Sequence, residues 1–243
     1  MTNLIADISL RKAARIVGVL FIAATVFSIL GGVLIGPILD DPDYLINVSA
    51  SENQVLIGVL FELIAAGAVA GTAIALFPIF KKHNEALALG YVGGRIIEGV
   101  FIIVSAIGAL LLLTLSREYV AGASDASHFQ TLGSVLLAER DWNFLVGPNL
   151  VFSLNALIVS YLLYQSRLVP RFLSVWGLIG APLILAAGLL IMFGLPRLSY
   201  ISLLLALPIA LFEMVLAVWL IVKGFNSSAI GSESAYTDIN ENV

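Results

Sequence analysis

An arginine and a glutamate stand three residues apart inside an otherwise apolar stretch, "GYVGGRIIEGVFII" from Gly90 to Ile103. Arg95 and Glu98 are i and i+3, so they share one face of a helix, and Tyr91 and Ser105 extend that face. Glu62, Asn155 and Glu213 are similarly isolated in apolar surroundings elsewhere in the chain. A guanidinium can hold one carboxylate bidentately. Three glutamates against one arginine still leave two negative charges if all are ionised. A proton, a monovalent cation or a small ligand would neutralise them. Glu62, Tyr91, Arg95, Glu98, Asn155 and Glu213 are therefore a candidate ligand or ion site. They suit equally well a buried polar network that only fixes helix packing, because ion pairs buried with complete partners are compatible with a purely structural role.

Other chemistry lacks its parts. The chain has no cysteine, which excludes disulfides, thiolate metal sites and a cysteine nucleophile. Its two histidines, His83 and His128, fall on opposite sides of the expected membrane, so they cannot form a bis-histidine site. No HExxH zinc motif or phosphate-binding glycine loop occurs. Lys81, Lys82 and Lys223 all lie at helix edges, so none is placed to carry a Schiff base inside a bundle. "ILDDPDYLINVSASENQ" has three aspartates but not the regular oxygen spacing and closing glutamate of a calcium loop, and is expected to be a solvated turn. The net charge of −4 shows no basic stripe for nucleic acid. No cofactor and no catalytic residue are assigned.

The elements that must position these side chains are membrane helices. The composition is 60% hydrophobic and 12% charged, against about half and a quarter in soluble domains. Six segments meet the roughly 20-residue requirement for crossing the hydrocarbon core. They are 13–36, 55–80, 87–115, 143–165, 173–194 and 202–222. The first apolar run is too long for a signal-peptide core of roughly 7–15 residues and is expected to be a retained helix. The expected fold is an all-α membrane protein: a six-transmembrane-helix bundle over 1–225 with a short outer interfacial helix, and a disordered cytoplasmic tail over 226–243. The interfacial helix is placed in "DASHFQTLGSVLLAERDW", with Asp125 as N-cap and Phe129, Leu132, Val135 and Leu136 on one face. Ser51 and Gln54 form an expected capping box for the second spanning helix.

Basic residues give the orientation. Arg11, Lys12, Arg15, Lys81, Lys82, Arg167, Arg171 and Lys223 fall on one side, and Arg117, Arg140 and Arg197 on the other. Eight against three predicts both termini inside. The short inner turns "KKHNEA" and "SRLVPRF" predict two tight hairpins, each followed by a glycine-rich helix start. Close helix approach is expected at the GxxxG pairs Gly32/Gly36, Gly67/Gly71 and Gly90/Gly94. Trp142, Trp176 and Trp219 are expected interface anchors.

Depth ties the polar residues together. At ~1.5 Å of rise per residue, Arg95 lies about 12 Å from the inner boundary, Glu98 about 16 Å and Glu62 about 18 Å. Glu213 comes to about 14 Å and Asn155 to about 11 Å. One layer near the midplane is expected to hold them all, with Arg95 against at least one of Glu62, Glu98 or Glu213. An isolated charge there costs ~2.5–3.5 kcal/mol on insertion scales.

Three stretches, "GYVGGRIIEG", "LNALIVSYLLYQSRLVPRFLSVWGLIG" and "FEMVLAVWLIVKGF", resemble the bacterial membrane family of Domain of Unknown Function 4386. The resemblance runs from the basic N-terminus to Phe225, and its motifs include Arg95, Glu98, Asn155, Arg167, Pro170 and Glu213. It implies a compact multi-helix protein of a bacterial plasma membrane and carries no activity or catalytic residue with it. The functional expectation is a small transporter or binding protein with a midplane Arg/Glu site. The alternative is an accessory membrane protein whose buried charges only lock helices. An intramembrane enzyme acting on lipid fits least, because no aspartate-rich magnesium motif lies in the bundle.

Overall fold

A computed structural model of the protein describes residues 2–122 and 126–226, with side chains from Leu10 onward. The expected N-cap Asp125 and the expected tail beyond Asn226 lie outside the described residues. The described chain is helical: α1 (Thr2–Leu39), α2 (Tyr44–Ala50), α3 (Glu52–Phe80), α4 (Glu85–Val120), α5 (Ala126–Phe144), a π-helical segment (Leu145–Val151), α6 (Phe152–Ser166), α7 (Arg171–Met192) and α8 (Tyr200–Val222). Among the described residues six helical stretches are long and apolar enough to cross a membrane; five agree with the expected segments to within five residues at either end, and the fourth begins at Ala126 instead of 143. Their outward faces are apolar. On α4, for example, Ile96, Ile97, Val100, Ile107 and Leu111 are exposed.

Sequence neighbours pack antiparallel: α1 on α3, α3 on α4, α4 on α6, α6 on α7 and α7 on α8, with α1 closing against α8. The eight basic residues grouped by the sequence therefore lie at one end of the bundle. Two apolar cores stack along its length. The first lies toward the basic end and draws on α1, α3, α4, α6, α7 and α8 around Phe80, Tyr91, Leu162 and Phe212. The second lies toward the opposite end, between the end of α1, α2, the start of α3 and the end of α4, around Ile35, Val48 and Leu112. At 36 residues α4 is about 54 Å long, so it serves both cores.

The segment expected as an interfacial helix is helical, but its setting differs. α5 continues without a break through the π segment into α6, and the whole stretch runs antiparallel to α4. Tyr119 meets Phe129 at 6.0 Å near one end, the Ser105 carbonyl accepts from Arg140 further along, and Glu98 meets Asn155 beyond that. The π segment has a local cause. Pro148 has no N–H, so the Phe144 carbonyl loses its usual donor four residues on. Asn149 Nδ2 donates to that carbonyl instead, at 3.4 Å.

The segment after α1, expected as a solvated turn, also differs. It holds α2, which buries Leu45 and Val48; the buried Ser116 hydroxyl donates to the Leu45 carbonyl. Leu45 and Val48 are i and i+3, so they share the buried face of this short helix after its N-cap Asp43. Ser51 makes no side-chain cap, and Gln54 instead donates to the Leu34 carbonyl at 2.8 Å, tying α3 to α1. The capping-box expectation fails because the Gln54 amide is committed to a tertiary partner on α1.

Candidate functional site

Arg95 projects from the middle of the first core and is 3% exposed, with Glu98 at 4%. Each of its three nitrogens donates. Nε donates to the Tyr91 hydroxyl at 3.2 Å, Nη1 to both Glu98 oxygens at 3.2 Å, and Nη2 to Glu213 Oε1 at 3.1 Å. Asn155 Nδ2 donates to Glu98 Oε2 at 3.3 Å. Three aromatic rings surround the guanidinium carbon: Phe21 and Tyr91 at 5.6 Å and Phe152 at 5.3 Å from their centroids. This geometry suits cation–π attraction, which strengthens when the cation is desolvated. Four helices meet at the one side chain: α1 through Phe21, α4 itself, α6 through Phe152 and Asn155, and α8 through Glu213.

The backbone is built to allow this. A Cβ on Gly94 would collide with the Asn155 amide, so glycine lets α6 bring Asn155 over α4. In the first turn after the π segment, Phe152 and Asn155 are i and i+3 and so face α4 together. Gly147 in the π segment lies against Phe101, where a Cβ would come within 2.5 Å of the Phe101 Cβ. On the far side, Cβ atoms on Gly177 and Gly180 would meet Phe212 at 2.7 Å and the Ile209 backbone at 3.1 Å. That close packing of α7 on α8 fixes the turn that carries Glu213. The GxxxG expectation holds at Gly94 and only in part elsewhere. A Cβ on Gly32, Gly36 or Gly67 would meet nothing within 4 Å, because those glycines point away from their neighbouring helices.

Five of the six candidate residues gather here: Tyr91, Arg95, Glu98, Asn155 and Glu213. Glu62 does not. It forms a bidentate pair with Arg140, at 2.8 Å to Nη2 and 3.5 Å to Nη1. Arg140 Nη1 also donates to the Ser105 carbonyl. Both side chains are largely buried, at 13% and 12% exposure. Arg140, grouped by the sequence with Arg117 and Arg197, is thus a buried ion-pair partner. Ser105 is ten residues beyond Arg95, so the two clusters are about 15 Å apart along α4. The depth estimate merged them because it counted every helix from a common boundary. α3 and α4 are in fact offset, with Gly99 against the Ala66 carbonyl, which puts Glu62 a turn further from the basic end than Glu98. The carboxylate surplus around Arg95 falls from two to one.

Comparison with known proteins adds one positive finding. The family model described as "Domain of unknown function (DUF4386)" matches residues 16–224. The chain belongs to this family. No curated protein and no solved structure matches it. The DUF4386 match covers every residue of both ionic clusters and ends just past Lys223, so both clusters lie within the matched domain. Phe152, Phe21 and Arg140 escaped the sequence reading. Phe152 was accessible to it as the residue three before Asn155. Phe21 and Arg140 were not, because only the pairing of α1 with α8 and of α5 with α3 and α4 gives them their roles.

Proposed function

We propose that this DUF4386 protein is an accessory multi-pass protein of a bacterial plasma membrane, embedded in the lipid bilayer with both termini cytoplasmic, in which the Arg95 cluster sets the packing of α1, α4, α6 and α8. The observation that carries this reading is the closure of the cluster on itself. Every Arg95 nitrogen donates to a group within it, and the guanidinium is faced by aromatic rings. Four hydrogen bonds within the cluster engage the five N–H donors of the guanidinium, whereas an arginine kept for an incoming anion would leave a whole edge of them uncommitted. The eight-to-three basic asymmetry supports the orientation.

A second reading rests on one further observation. The cluster pairs one arginine with two glutamates, and the Glu213 side chain is its most accessible member at 17%. A proton or monovalent cation at Glu213 would balance the charge, as in a small transporter or binding protein. The test is apolar replacement. Arg95→Met alone leaves two buried carboxylates unpaired and should destabilise by about 3–5 kcal/mol. Arg95→Met with Glu98→Leu and Glu213→Leu should recover wild-type stability or exceed it by ~1–4 kcal/mol. A triple variant as unstable as the single one refutes the packing role. If wild type alone gains stability with rising sodium or potassium, following mass action, the second reading replaces the first.

A further inference from the structure

At the basic end, the α6–α7 turn and the last turn of α8 border an open cavity of about 510 Å³, lined by Arg167, Arg171, Lys223 and Trp219 among others. Four features distinguish it from a merely positive surface. First, among the described residues no carboxylate pairs with Arg167, Arg171 or Lys223, and the ion pairs described use Arg95, Arg117, Arg140 or Arg197. Second, Pro170 and Arg171 open the 22-residue α7 at the cavity wall, and a helix N-terminus there favours an anion through its free amides and dipole. Third, Arg167 adopts the left-handed conformation (φ 53°), the only described residue other than glycine to do so. Glycine would hold that turn with less strain, yet the position carries a guanidinium at the cavity. Fourth, the cavity borders the apolar exterior. Trp219 lines it, the ring of the exposed Phe172 packs edge-on against Trp219 at 6.3 Å, and Val222 beside Lys223 is 68% exposed. Arg11 and Arg15 add two further cations across Lys223 and Gly224, in a small adjoining cleft.

We infer that this cavity binds the phosphate group of an anionic membrane phospholipid. Arg167, Arg171 and Lys223 hold the phosphate oxygens, and Trp219 and Phe172 border the path of the acyl chains. A basic side chain near a membrane surface contributes about fivefold to the binding of anionic lipid, so three together give roughly a hundredfold. A general excess of basic residues on one membrane side explains the charge. It does not explain a cavity with an aromatic wall on its lipid-facing side. Free phosphate would satisfy the same donors, but nothing about it calls for that wall.

The test uses the full-length protein in neutral detergent, with dioleoylphosphatidylglycerol, dioleoylphosphatidylcholine and inorganic phosphate as probes. Native mass spectrometry counts bound lipid and gives its affinity. Phosphatidylglycerol should bind with defined stoichiometry and more tightly than phosphatidylcholine, whose choline opposes the three cations. The variant Arg167→Gly, Arg171→Gln, Lys223→Gln should bind it roughly a hundredfold more weakly. Arg167→Gly alone keeps the left-handed turn and hence the fold, and should lose about fivefold. Lys82→Gln, at the same end but outside the cavity, should bind as wild type does. Undiminished binding by Arg167→Gly, or an equal loss in Lys82→Gln, overturns the site. Displacement of the lipid by millimolar inorganic phosphate assigns the cavity to a free anion and overturns the lipid reading.

Discussion

If Glu62 belongs to Arg140 and not to Arg95, the two relationships must differ in energy, and a pair of double-mutant cycles measures the difference. Arg140→Met removes both bonds to Glu62 and the one to the Ser105 carbonyl. A surface ion pair contributes ~0–1 kcal/mol. Breaking a fully buried one costs ~3–5 kcal/mol, chiefly from the charge left behind. With 12% and 13% of the two side chains exposed, the expected loss lies between, at about 2–3 kcal/mol. Glu62→Leu added to Arg140→Met removes the stranded charge and should restore about 2 kcal/mol of that loss; the coupling between the two sites is that recovery plus the cost of Glu62→Leu alone. Glu62→Leu with Arg95→Met joins groups that share no partner and lie about 10 Å apart along the bundle axis, Glu62 being a turn beyond Glu98. Their effects should add to within ~0.5 kcal/mol. Stability is read from reversible unfolding in mixed micelles titrated with dodecyl sulfate. Additivity for Glu62 with Arg140 together with a coupling above ~1 kcal/mol for Glu62 with Arg95 would refute the separation into two clusters.

Gly94→Ala should destabilise by about 1–3 kcal/mol through overpacking against the Asn155 amide, seen as a lower thermal midpoint; Asn155→Ala in the same chain should relieve the clash, and an unchanged midpoint for Gly94→Ala would mean that α4 and α6 do not approach so closely. The cysteine-free chain also permits an orientation test with a membrane-impermeant maleimide. Glu118→Cys should label on intact cells and Lys82→Cys only after permeabilisation; the opposite pattern would invert the topology.

Much of the bundle was determined by the sequence alone. Runs of apolar residues long enough for a bilayer have only one way to satisfy their backbone, the helix, so six spans and their approximate ends followed without any knowledge of contacts. Membership of Arg95 and Glu98 in one cluster followed from helical periodicity, since residues at i and i+3 share a face whatever surrounds them. Asn155 and Glu213 were placed near them by depth, which works when neighbouring helices start at similar levels. Glu62 shows where that reasoning stops. Its distance from Arg95 depends on how far α3 slides along α4, and the slide is set by small-residue contacts such as Gly99 on the Ala66 carbonyl, which leave no periodic trace. Phe21 was equally hidden, because nothing in α1 says which face turns toward α4. The continuity of α5 with α6 was masked by Pro148, a local stop signal; the π turn and the Asn149 side chain absorb the proline and carry the helix on. Local chemistry thus decided which segments are helices and which faces are polar. The tertiary structure alone decided which carboxylate meets which arginine, because that choice is made by axial offsets of a few ångströms between packed helices.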